Sequence, residues 1–473
     1  MSRLAHACVL LFAATLSWVA PVRGADTPAG VKVPAHQRFV LANGLTIILV
    51  PNREVPMIAF SGFVRGGSIA DPADKPGVGS LVAGLLDRGA GKRSAFEFAD
   101  ALEGVGGTFA AYAGPESISF NGQFLARDRA LMIELLADAL MRPRFEPAEF
   151  AAWRDREIEF IKSAKDSDPA QILSIYGRAA LFGAHVYGRP QGGSESSLAT
   201  ITREDVMAYH QENFGADKAT LVFAGDLDPK WMRAALSKAF AAWGRSSAPM
   251  RKLSPAPRVT GRGVLLVDAP GAAQTYFWIG NVGVDRRYSG RPALELVNTL
   301  YGGRFTSILN TELRIKSGLS YNANSRFTRG TLPGEFAIRS YTQTDTTVQA
   351  IDLAFETLDR LKHDGVGQEM LDSARAYVLG QFPLQLETAA HWAATLADLE
   401  FYGLGKDYIE GFAAALEKVD LPETAAVIAD AFPRPTDVVM VLIGDAAKIR
   451  EGVAKYGPVT EMKLSDPYFS PPR

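Results

Sequence analysis

The 473-residue chain, 47% hydrophobic and 22% charged, is long enough to bury large cores, and composition places it at roughly two to four domains. Its 50 Lys and Arg balance 52 Asp and Glu with no run of five like charges, so nothing favours nucleic acid or an acidic membrane surface, and protein or peptide is the expected partner. The single cysteine, Cys8, lies in the N-terminal apolar segment, which leaves the rest of the chain without a thiol for a disulfide, a metal or a nucleophile.

Arg3 leads into an apolar run from Ala7 to Ala20, and Val22-Arg23-Gly24 puts small groups at the −3 and −1 positions of a cut after Gly24. Residues 1–24 therefore read as a cleavable secretory signal, and the mature protein as periplasmic. A run of about 14 residues is short for a membrane span, and no later stretch approaches one.

"LTIILV" from Leu45 is a β-branched run suited to a buried strand, and "DRALMIELLADAL" from Asp128 carries apolar residues at helical spacing. "REDVMAYHQE" from Arg203 reads as a solvated helix face, and "ATLVFAGDLDP" from Ala219 as a strand ending in Gly-Asp. "GRSSAPMRKLSPAPRVT" combines Pro, Ser and basic residues without apolar periodicity, so residues 246–260 form a linker between a domain at 25–245 and one at 261–473. Beyond it the same order recurs: "VLLVD", then "DTTVQAIDLAFETL" from Asp345, then "DVVMVLIGDAA". Asp345 minus Asp128 is 217 and Asp445 minus Asp226 is 219, so two landmarks repeat at nearly one offset. The chain is expected to be a duplicated α+β domain, with mixed or antiparallel sheets packed by helices.

"GVGSLVAGLLDRGAG" from Gly77 predicts a buried helix over 77–88, with Val78, Leu81, Val82, Leu85 and Leu86 at helical spacing. Gly77, Gly79 and Gly84 oppose it by about 1 kcal/mol each relative to Ala, so close backbone packing is expected to require them. "GAGKRS" falls short of a phosphate loop, since Leu86 and Arg93 stand where Gly and Ser or Thr are needed; "GVGSLV" falls short of a dinucleotide fingerprint, and Ser80 lacks the flanks of an elbow nucleophile.

With "FVLANGLTIILV", "VRGGSIADP", "LEGVGGTFAAYAGPESISF", "LFGAHVYGRP" and "GGRFTSILNTELRIKSGLSYNANS", this stretch resembles the pitrilysin-type (M16) zinc peptidases over nearly the whole mature chain. The resemblance implies two homologous α+β halves enclosing a peptide chamber. In catalytic members the 77–88 helix carries His-x-x-Glu-His, because imidazoles at i and i+4 share one face and hold zinc while the carboxylate between them activates water. Here those places are Ser80, Ala83 and Gly84, and the histidines His36, His185, His210, His363 and His391 are scattered singly. The family's third ligand falls in "RDREIEFIKS", at Glu157 or Glu159 or, in another register, Ile161. No zinc or other cofactor is expected in this chain, and no peptide cleavage by it alone.

The resemblance retains an Arg and Tyr pair at Arg314 and Tyr321, downstream of Gly302 and Gly303. In the family this pair reaches the substrate beside a zinc held elsewhere. The chain is thus expected to be a non-catalytic subunit, paired as a heterodimer or a dimer of heterodimers with a catalytic M16 homologue that keeps His-x-x-Glu-His and holds the zinc. The competing expectation is a structural or binding protein that has left proteolysis.

Overall fold

The computed structural model describes residues 30–471; the expected signal segment lies outside the described residues. The first half supplies strands β1 (Gln37–Val40), β2 (Thr46–Pro51), β3 (Met57–Arg65), β4 (Thr108–Ala113), β5 (Ser117–Leu125) and β6 (Ala219–Gly225). Its helices include α1 (Val78–Leu85), α2 (Ala95–Glu103), α3 (Arg129–Met141), α4 (Pro147–Ser167) and α5 (Ala170–Phe182). The second half supplies β7 (Arg262–Asp268), β8 (Gln274–Val282), β9 (Ala323–Arg329), β10 (Pro333–Gln343), β11 (Val438–Gly444) and β12 (Val459–Lys463).

The two six-stranded sheets run β1-β2-β6-β3-β5-β4 and β12-β7-β11-β8-β10-β9. Five strands of each follow one order, with a parallel pair, β2 on β6 and β7 on β11, beside antiparallel neighbours. β11 follows β6 at an offset of 219 residues (438 minus 219), so the duplication extends to topology. The sixth strand breaks the symmetry: β1 is antiparallel to β2, whereas β12 is parallel to β7.

The apolar runs of these strands are continuous because both sheet faces are covered. Along β2, Ile47 and Leu49 join one core and Ile48 and Val50 the other; along β11, Val441 and Ile443 alternate in the same way with Met440 and Leu442. The covers are exchanged between halves. Helix α5 lies on β8 and β11 of the second sheet, and its counterpart, the Ala389–Tyr402 helix, lies on β3 and β6 of the first. Each core therefore contains residues of both halves.

The linker is tied to both halves: the Ser246 N–H donates to Asp217 Oδ1 (2.7 Å) and the Val259 N–H to Asn281 Oδ1 (2.9 Å). The seam also carries a buried carboxylate, Glu116 in the β4–β5 turn, which accepts from the hydroxyls of Tyr187 and Thr331 and from the Thr331 N–H at 3.2 Å. Burial, then the Glu116 contact, pushes the Tyr187 phenol upward, so it remains a donor.

Candidate functional site

Helix α1 begins at Gly77, whose φ of +107° only glycine adopts without strain. Its first turn is capped by a buried carboxylate: Asp71 accepts from the Gly77 and Gly79 N–H groups, each at 2.8 Å. A side chain on Gly79 would press on the Tyr209 ring, which arrives from the Arg203–Asn213 helix. That helix is half-buried rather than simply solvated, because Val206 and Tyr209 pack against α1 and the Tyr209 hydroxyl donates to Gly67 O at 2.8 Å.

Ser80, Ala83 and Gly84 share the face that a metal-binding helix would present. Ala83 is buried, and a Cβ built on Gly84 would collide with the indole of Trp153 on α4. Trp153 is fixed there by two guanidinium groups, Arg88 at 4.7 Å and Arg156 at 4.6 Å from its ring. The volume of a second imidazole is thus taken by tryptophan. One turn further along α4 is Glu157, half-buried, its carboxyl raised mainly by desolvation. Glu159 is exposed and paired with Lys162 at 2.7 Å. Ile161 is buried in the core. These residues do not fit zinc: one half-buried carboxylate stands beside Ser, Ala and Gly. Among the described residues no three His, Cys, Asp or Glu side chains gather as a metal site.

In the second half, the chain after the Arg291–Asn298 helix passes through two π-helical turns, Thr299–Gly303 and Thr311–Lys316. Such turns are uncommon and frequent at functional sites. Gly302 lies against the backbone of Ser325 at the start of β9, an approach any Cβ would block. Buried Asn310 ties the two sides together, donating to Phe305 O at 2.7 Å and accepting from the Ala323 N–H at 3.3 Å. Between them, the Arg314 guanidinium sits 4.9 Å from the Phe305 ring and 4.2 Å from the Tyr321 ring. Both rings are open to solvent, 60% and 68% exposed. Among the described residues the Arg314 guanidinium and the Tyr321 hydroxyl make no hydrogen bond or ion pair. Stacking holds the guanidinium in place while its donors remain free.

A family model described as the peptidase M16 inactive domain matches residues 200–378, and one described as insulinase (peptidase family M16) matches residues 48–189. The chain belongs to the M16 peptidase family. Among M16 relatives, an uncharacterized zinc protease of Mycobacterium leprae is 27% identical over 386 residues, covering 81% of this chain and 85% of that protein. The zinc protease YmxG of Bacillus subtilis, also described as uncharacterized, is 23% identical over 352 residues, 74% of this chain and 85% of that protein. The fold is shared with the crystal structure of a peptidase M16 inactive domain from Pseudomonas fluorescens, at TM-score 0.80 and 23% identity over 87% of this chain and 98% of that one. It is shared likewise with a protease from Helicobacter pylori, at TM-score 0.78 and 18% identity over 87% and 99%.

Within this M16 frame, sequence reasoning missed Trp153, Phe305, Asn310 and Asp71. A tryptophan two turns into an amphipathic helix gives no sign of what it covers, and Phe305 is legible only as an aromatic nine residues before Arg314. "GAGKRS" is a structural corner: a side chain on Gly91 would meet the Asp138 carboxylate, and Arg93 pairs with Glu134 at 2.8 Å.

Asp71 gives the α1 frame a pH dependence. Burial, the largest cause, raises its pKa from 3.8 to about 7, against the opposing Gly77 and Gly79 hydrogen bonds. Because the folded value lies above the unfolded one, the stabilising proton is fully in place below about pH 4 and its contribution is lost as pH rises through about 7. Asp71→Asn, which puts a neutral group in place of the titrating carboxyl, is expected to flatten the decline of melting temperature between those limits. Thermal melts of both proteins from pH 4 to 8 test this, and parallel curves would remove Asp71 as the titrating group.

Proposed function

We propose that this chain is the non-catalytic subunit of a heterodimeric periplasmic zinc peptidase, contributing part of the peptide groove and the Arg314–Tyr321 pair to a zinc site on a catalytic M16 partner. The reading rests on one observation: the helix face that would hold zinc is filled by Trp153, while Arg314 is held between two exposed aromatic rings with its donors free. Exposed aromatics around an unpaired guanidinium suit a surface that another molecule covers.

In that complex Arg314 holds a carbonyl or carboxylate oxygen of the peptide and fixes its register, using the planar donors of a permanently charged group. Tyr321 donates its hydroxyl proton in a hydrogen bond to the carbonyl oxygen as negative charge develops there. The partner's zinc supplies the activated water.

Arg314→Ala is expected to raise KM and to lower kcat/KM of the reconstituted heterodimer by roughly 10–150-fold, from a charged hydrogen bond worth about 1.5–3 kcal/mol. Steady-state kinetics on one peptide, with the partner's zinc measured in parallel, provide the test. Unchanged KM and kcat would favour the scaffold reading, in which the chain has left proteolysis.

A further inference from the structure

A cavity of about 580 Å³ opens on the seam between the halves, within the roughly 300–1,000 Å³ typical of small-ligand sites. None of its lining residues belongs to the α1 face or to the Phe305–Arg314–Tyr321 stack. Its wall combines Arg178 on α5 with Arg286, Arg326 and Arg329 of the second half, against two carboxylates, Glu295 and Glu335.

The pairing of these groups is incomplete. Arg329 uses one nitrogen for Glu295, and its Nη1 is buried without a partner; Arg286 pairs with Asp398 and leaves Nε buried and unpaired. Arg178 has only a 3.7 Å ion pair with Glu335, and Arg326 has no hydrogen bond or ion pair among the described residues. A buried donor without an acceptor is costly. The like charges also bear on their neighbours: Arg291 is brought down to about 10, first by burial, with Arg329 and Arg286 acting in the same direction. An oxyanion in the cavity would accept from the free donors of Arg326 and from the loosely paired Arg178 and would offset this repulsion, and guanidinium forks match carboxylate and phosphate oxygens in geometry.

We propose that the seam cavity binds a small oxyanion ligand, a dicarboxylate or a phosphate group, held between Arg178 of one half and Arg326 and Arg329 of the other. Such a ligand bridges the halves and stabilises their docking.

The test is isothermal titration of the full mature chain at low ionic strength with inorganic phosphate and, separately, with succinate, using succinamide as the uncharged control. Saturable binding near one site per chain is expected for at least one anion and not for succinamide, with a rise in melting temperature. Phosphate alone binding assigns a phosphate ligand, and succinate alone a dicarboxylate. The Arg178→Gln/Arg326→Gln variant is expected to lose at least about tenfold in affinity, since each fork contributes charged hydrogen bonds. Should that variant fail to fold, Arg326→Gln alone, at an exposed and unpaired position, provides the same readout. No saturable binding of either anion, or binding that the variants retain in full, would overturn the proposal.

Discussion

Tyr321→Phe is expected to slow peptide cleavage by the proposed heterodimer by about 10²–10³-fold, because one donor aimed at a developing oxyanion is typically worth about 2.7–4 kcal/mol of barrier. The substitution removes a hydroxyl that is hydrogen-bonded to nothing among the described residues, on a ring that is 68% exposed and keeps its stacking on Arg314. Melting temperature, complex assembly and the partner's zinc content should therefore match wild type while kcat falls. Deletion of a purely structural tyrosine hydroxyl would instead leave kcat alone. A wild-type rate in Tyr321→Phe would reduce the pair to a remnant of an older site.

The second large effect concerns the missing metal motif. Ser80→His/Ala83→Glu/Gly84→His writes His-x-x-Glu-His back into α1, and the variant is expected to be destabilised and to hold no stoichiometric zinc. Position 84 has no room for a side chain while Trp153 stays, and overpacking a filled site costs about 1–3 kcal/mol. The Ala83→Glu change adds a carboxylate at a buried position, a further penalty unless it is paired. Adding Trp153→Ala is expected to recover part of the stability and to allow weak zinc binding, with half-buried Glu157 rather than exposed Glu159 able to turn toward the site. Thermal melts and metal analysis of both variants check this. A triple variant as stable as wild type and carrying about one zinc per chain would show that Trp153 moves aside without cost.

Fold class was legible in the sequence because its signals are local and repeated. The β-branched runs at β2, β6, β7 and β11 and the recurring Gly-Asp strand ends give the elements, and the near-constant offset gives the duplication. The exchange of α5 and the Ala389–Tyr402 helix was not legible, because an amphipathic pattern shows that a face is buried and not which sheet buries it. At the site, Ser80, Ala83 and Gly84 disclosed what is missing, whereas Trp153, which lies 69 residues beyond Gly84 (153 minus 84), is a neighbour only in three dimensions. Gly84 itself was the available hint: a helical glycine needs a reason, and here the reason is an indole. Arg314 and Tyr321 came from a family motif; their stacking, and the role of Asn310 in holding Phe305 beside them, exist only in the folded chain.

The most direct test compares the peptide-cleavage rates of this chain alone, of the His-x-x-Glu-His homologue proposed as its partner alone, and of the two mixed in equal amounts. The expected result is turnover in the mixture, abolished by a chelator, with no turnover by this chain and little by the partner. Chelator-sensitive cleavage by this chain alone, or a partner that works as fast without it, would contradict a division of the site between two subunits.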